Sequence, residues 1–154
     1  MKEIVAYKDF YKEIIDTINA RRYKAYKSLN RHHIEHNFEL GEIIVKHQEK
    51  QKWGQSIVEK LSTDITKQID GLSGYSPQNL WKMRQFYLEY REKTVLYELA
   101  KQIPWGQNML VLHQVKDDNE RRYYLEATAK LGWSRAVLLN QIKADAYKHH
   151  VLDK

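Results

Sequence analysis

The chain of 154 residues contains no cysteine. That removes disulfides, thiolate metal sites and cysteine nucleophiles together, and it fits a reducing cytosol. Proline occurs twice and glycine six times, too sparsely for a turn-rich all-β chain, so long helices are expected. No apolar run approaches the ~18 residues of a membrane span, and the N-terminus lacks the apolar core of a signal peptide. The expectation is a cytoplasmic protein without a membrane partner. Acidic residues are missing between Asp16 and Glu35, where Arg21, Arg22, Lys24, Lys27 and Arg31 stand with Tyr23 and Tyr26 among them. On a chain of net charge +6 this block leans toward polyanions such as DNA. It is equally what a solvated helix face looks like.

What is present is helical periodicity, and no segment reads as a strand. The fold class expected is all-α, one helical domain over residues 1–154 with helix-turn-helix-like units. Residues 8–51 carry Ile14, Ile18, Ala25, Leu29, His36, Leu40, Ile43 and His47 at intervals of three and four. They predict one long helix, or a helical hairpin bent near Asn30. A stripe that outruns a small domain calls for a partner, so a homo-oligomer through this helix is expected. Residues 52–148 form the compact helical part. Its helices are expected over about 55–69, with Ile57, Val58, Leu61, Ile65 and Ile69 buried, then over 77–92, 95–102, 106–115, 120–130 and 135–147.

The stretch Gly71–Tyr87 organises this part. Two glycines make a turn, Ser76 caps a helix, and Pro77 occupies its first position, where a missing N–H costs nothing. Leu80, Met83, Tyr87 and Tyr90 give that helix one buried stripe. Gln78, Lys82 and Gln85 lie opposite, with Arg84 at the flank. Amide and cationic side chains on a well-capped helix suit groove reading, although any solvated face shares the pattern. Gly132-Trp133-Ser134 echoes Gly74-Tyr75-Ser76, and its short turn would present Arg135. Such an echo is also how helices in general begin.

Other chemistry is thin. His32 and His36 are one turn apart, but no Glu follows the first His as in a zincin helix. Asp117-Asp118 reads as a helix cap rather than a catalytic pair. There is no phosphate loop and no dinucleotide turn, so no metal or cofactor is expected. Trp53, Trp105 and Trp133 read as core residues beside turns. Trp81 lies off the central stripe and must find another surface.

The order of these pieces carries a resemblance. Leu40-Gly41-Glu42-Ile43-Ile44, Trp53-Gly54 ahead of Val58–Asp64, and Gly74-Tyr75-Ser76 with Asn79–Tyr87 come first. Gln102-Ile103-Pro104-Trp105-Gly106, Gly132-Trp133-Ser134-Arg135, Leu139 and Gln141-Ile142 follow. Over residues 10 to 147 they resemble the N-terminal domain of the bacterial YhcG family, where this helical domain precedes a PD-(D/E)xK nuclease domain. The resemblance implies a role in DNA metabolism, with the nuclease domain a partner in full-length relatives. That chemistry needs an acid-x-lysine triplet around Mg²⁺, and none occurs in these residues. The nuclease domain is therefore expected to be absent from this chain. The expectation is a non-catalytic DNA-binding module contacting DNA through Ser76, Gln78, Lys82, Arg84, Gln85 and Arg135. Arg21, Arg22, Lys24 and Lys27 would add sequence-independent attraction. The rival is an oligomerisation or protein-interaction module that does not touch DNA.

Overall fold

The computed structural model describes residues 1–152, apart from the side chain of Gln55. Among them are eight α-helices and no strand. Helix α1 (Lys2–Gln51) is 50 residues long, roughly 75 Å at 1.5 Å per residue. No proline interrupts it, and it passes Asn30 without a break, so the hairpin alternative is excluded. It ends where Lys52 turns left-handed, at φ 57°, and its N–H bonds back to the Gln48 carbonyl.

The compact part follows as α2 (Gln55–Gln68), α3 (Pro77–Tyr90), α4 (Thr94–Ala100), α5 (Trp105–Gln114) and α6 (Asp118–Leu131). Then come α7 (Arg135–Lys143) and α8 (Ala146–Leu152). The last two were expected as one helix to Tyr147. Asp145 takes φ 54° and divides them, a conformation Asp tolerates better than most residues.

The α3 stripe is buried as expected, Leu80, Met83, Tyr87 and Tyr90 all packing inward. Phe86 joins it and is fully buried, which widens the apolar face. One core layer surrounds Phe86, Tyr90, Leu112, Tyr124 and Leu138; a smaller one holds Ile44, Val58, Leu80 and Met83. Trp105 packs against both layers, its ring 5.3 Å from Phe86. Its indole N–H donates to the Asn79 side chain at 2.9 Å. Arg121, 2% exposed, donates to the carbonyls of Val115 and Leu112 at the end of α5 and pairs with Glu89 at 2.9 Å. A buried cation is tolerated here because every side of it meets an acceptor.

Helix α1 is shielded by this body only from Lys27 onward; every residue before it is exposed, with Tyr23 and Tyr26 edging a hollow against the body. The seam that packs on α3 is Asn30, Ile34, Asn37, Gly41, Ile44, Val45 and Gln48. The expected stripe lies on another face, turned by roughly 120° at 3.6 residues per turn. Ile14, Ile18, Leu29 and Ile43 are all exposed, Leu29 at 69%. Gly41 explains the choice. A Cβ there would stand 2.2 Å from the Met83 carbonyl oxygen and 2.9 Å from Tyr87 Cβ, so its absence admits the closest approach of α3. Along α2, Val58 and Ser62 are buried and Ile57 and Ile65 half-buried, while Leu61 and Ile69, expected inside, are exposed. Trp53 is exposed as well, whereas Trp133 and Trp105 pack on the core as expected.

Candidate nucleic-acid interface

The two glycine-aromatic-serine turns build the same entrance to a helix. Gly74 and Gly132 take φ of 92° and 67°, the left-handed region that favours glycine. Ser76 Oγ accepts the Asn79 N–H at 3.1 Å, and Ser134 Oγ accepts the Val137 N–H at 3.2 Å. Leu80 and Leu138 then anchor their helices in the core. Only the second turn, Gly132–Ser134, has the length of a helix-turn-helix connection. The first, Ile69–Ser76, is longer and is tied down by its own bonds. Ser62 Oγ donates to the Tyr75 carbonyl at 2.7 Å, and His36 Nε2 lies 2.7 Å from the Tyr75 hydroxyl. His36 is thereby engaged in the fold.

Helices α3 and α7 meet across α5, and this brings Lys82 and Arg135 into one groove. Asn79, Lys82, Trp105, Gly106, Met109, Leu110, His113, Gln114 and Arg135 line it, with no carboxylate among them. A Cβ on Gly106 would fall 2.6 Å from Arg135 Cδ, so the arginine lies directly over that glycine. Neither Lys82 nor Arg135 forms an ion pair among the described residues. The imidazole of His113 sits 3.1 Å from Gln85 Oε1. Its pKa is held below 6.5, first by burial and then by the charges of Lys82 and Lys116. At neutral pH the groove therefore offers two fixed cations and a neutral ring.

A second hollow adjoins the same Gly132 turn. Tyr23, Tyr26 and Lys27 of α1 face Pro104, Lys130, Gly132 and Trp133 there, again without an acid. Lys130 and His113 were not anticipated. Lys130 sits in the last turn of α6, where a lysine is ordinarily explained by the helix dipole, and only the fold sets it beside Lys27. Carboxylates gather elsewhere. Burial, followed by Glu35, Glu98, Glu39 and Glu42, pushes the Tyr97 hydroxyl up to about 12.

The other expected contacts are dispersed. Ser76 and Gln78 are exposed beside Pro77, Trp81 and Glu59, with the Ser76 hydroxyl committed to its cap. Arg84 is turned into the protein, donating from Nε to the Gln48 side chain and stacking on Trp81 at 4.7 Å. Gln85 is half-buried against His113. Trp81 itself finds its surface on the smaller core layer. Arg21, Arg22 and Lys24 are exposed on the free part of α1, where Arg21 and Lys24 share a flank with Asp9, Glu13 and Asp16. No group of three or more His, Asp or Glu is gathered for a metal among the described residues. No helix there is long and apolar enough to cross a membrane.

A family profile described as the DUF1016 N-terminal domain matches residues 13–149. No curated protein and no solved structure matches the chain.

Proposed function

For a chain that belongs to the DUF1016 (YhcG) family, as its N-terminal domain, we propose a non-catalytic DNA-binding module that grips the phosphate backbone. The observation that carries this reading is the pairing of Lys82 with Arg135 in a groove free of carboxylates. Two cations without acidic partners hold no compensating charge, so a phosphate gains their full attraction and releases counterions. Lys27 and Lys130 extend the positive surface past the Gly132 turn, and Arg21, Arg22 and Lys24 add to it along α1. Contacts of this kind position a protein on the duplex and carry no base information. Gln78 is an exposed polar side chain at the α3 entrance suited to reading a base edge, the Ser76 hydroxyl being held by its cap.

The test is fluorescence anisotropy with a labelled duplex at several salt concentrations. Replacing Lys82 and Arg135 by Ala removes two phosphate contacts and is expected to reduce the magnitude of the salt slope by roughly two. Equal slopes for both proteins count against the groove. Arg84→Ala is a poor probe, because its bond to Gln48 and its stack on Trp81 make it part of the fold.

The second reading, assembly through α1, has its own observation. Ile4, Tyr7, Phe10, Tyr11, Ile14 and Ile18 are all more than 40% exposed. In proteins most helical stability comes from packing an apolar face rather than from propensity, and this half of α1 has no face packed. The groove of Lys82 and Arg135 is compatible with assembly, since it holds no residue of α1, whereas Arg21, Arg22 and Lys24 lie on the free half that both readings use.

A further inference from the structure

We propose that the free half of α1 pairs with the same segment of a second copy in antiparallel fashion, centred between Tyr11 and Ile14. This rests on the assembly reading and adds its occupant, direction and register. At 3.6 residues per turn, Ile4, Tyr7, Tyr11, Ile14, Ile15 and Ile18 fall within about 60° of one line. Ile4, Tyr7, Tyr11, Ile14 and Ile18 among them are spaced alternately three and four, as a two-helix seam requires. Among the antiparallel registers that match apolar layers, we take the one that also uses Ile18. There Tyr7 lies against Ile18 of the partner subunit, and Tyr11 lies against Ile14 of the partner subunit. Each large ring thus meets a branched side chain.

Charge sets the direction. From Lys2 to Asp16 there are four acids and three bases; from Thr17 to Arg31 there are five bases and no acid. Parallel pairing would lay one wholly basic segment beside another. In the antiparallel register Lys27 and Arg31 lie beyond the N-terminus of the partner, and Arg21, Arg22 and Lys24 come beside its first four residues, with Glu3 in reach of Lys24 of the partner subunit. Like-charge contact disfavours the first arrangement, and its relief favours the second. The fold leaves room for it. The paired stretch Ile4–Arg21 ends before Lys27, the first residue the body shields, so the two bodies sit at opposite ends of the pair.

The absence of native cysteine makes disulfide trapping a clean test on the full chain. Tyr7→Cys and Ile18→Cys proteins are mixed and oxidised at micromolar concentration, alongside light scattering of the unaltered chain. The expected mass is about 37 kDa, twice the chain's 18.5 kDa. The expected product is the mixed disulfide, with each variant alone remaining unlinked. Circular dichroism of the reduced variants checks that α1 is still formed. Self-linked Tyr7→Cys and Ile18→Cys, with no mixed product, would mean parallel pairing and overturn the direction while assembly stands. A dimer giving no link at all overturns this register. A mass of 18.5 kDa at every concentration overturns assembly itself and this proposal with it; the stripe then serves a different partner.

Discussion

The two halves of α1 are one continuous helix with opposite fates. From Lys2 to Leu29 the apolar side chains lie open, whereas from Asn30 to Gln48 a seam is buried against the body. The buried seam is the less apolar of the two. It contains Asn30, Asn37, Gly41 and Gln48, while the open half carries Ile4, Tyr7, Tyr11, Ile14 and Ile18. Hydrophobicity alone did not choose which face docks; closeness of approach did. Gly41 lets the α3 backbone come within a distance that no side chain permits. Close packing of that kind returns dispersion and burial along the whole crossing.

The largest effect expected follows from this. Gly41→Val drives a branched side chain into the Met83 carbonyl and Tyr87, and backbone cannot yield as a side chain tip can. We expect a loss of about 3 kcal/mol or more, at the upper end for overpacking, measured by urea unfolding. A variant within about 0.5 kcal/mol of the parent would show that α1 does not need this crossing, and the contrast between its halves would collapse.

A smaller change probes the other half. Ile14→Glu places a charge on the open stripe and touches nothing in the body. All four tryptophans lie beyond residue 50, so their fluorescence reports on the body alone, while far-ultraviolet dichroism reports on both. The expected outcome is reduced helicity with an unchanged fluorescence midpoint, within the ~0.5 kcal/mol typical of surface substitutions. A shift of the fluorescence midpoint by a kcal/mol or more would mean the halves fold as one unit.

Much of the compact part was legible because its signals are local. Ser76 and Ser134 announce their helices, Pro77 confirms the first, and Leu80-Met83-Tyr87-Tyr90 repeats at helical spacing. The face of α1 that docks was not legible. Its stripe of Ile14, Ile18, Leu29 and Ile43 is real, but periodicity states which line is apolar and not what covers it. Long-range partnerships were equally silent. Arg121 sits in an Asp-Asn-Glu-Arg-Arg run that reads as surface, and only the end of α5 makes it a buried donor. Arg84 reaches Gln48, and Arg135 lies over Gly106, through contacts that sequence spacing does not encode. The groove was therefore half visible: Lys82 and Arg135 were candidates separately, and folding put them together.

The smallest effect separates the two regions by pH. No histidine occurs before His32, so between about pH 5.5 and 7 protonation of imidazole acts on the docked part alone. His113 is held below 6.5 by burial and by Lys82 and Lys116; His33 is lowered by burial and by His36. As pH falls through 6.5 the unfolded chain takes up protons that the folded chain does not. Stability therefore declines until pH passes the folded pKa, below which no more is lost from that group. His113→Gln keeps a polar side chain beside Gln85 and is expected to remove part of this slope; equal slopes would remove His113 from the account. DNA reverses the sign at the same ring. A phosphate between Lys82 and Arg135 favours the imidazolium, so binding below about pH 6.5 is expected to take up a fraction of a proton. Calorimetry in two buffers of different ionisation enthalpy measures that uptake, and His113→Gln should abolish it. If wild type and variant bind DNA with equal proton uptake, the phosphate does not sit at this end of the groove.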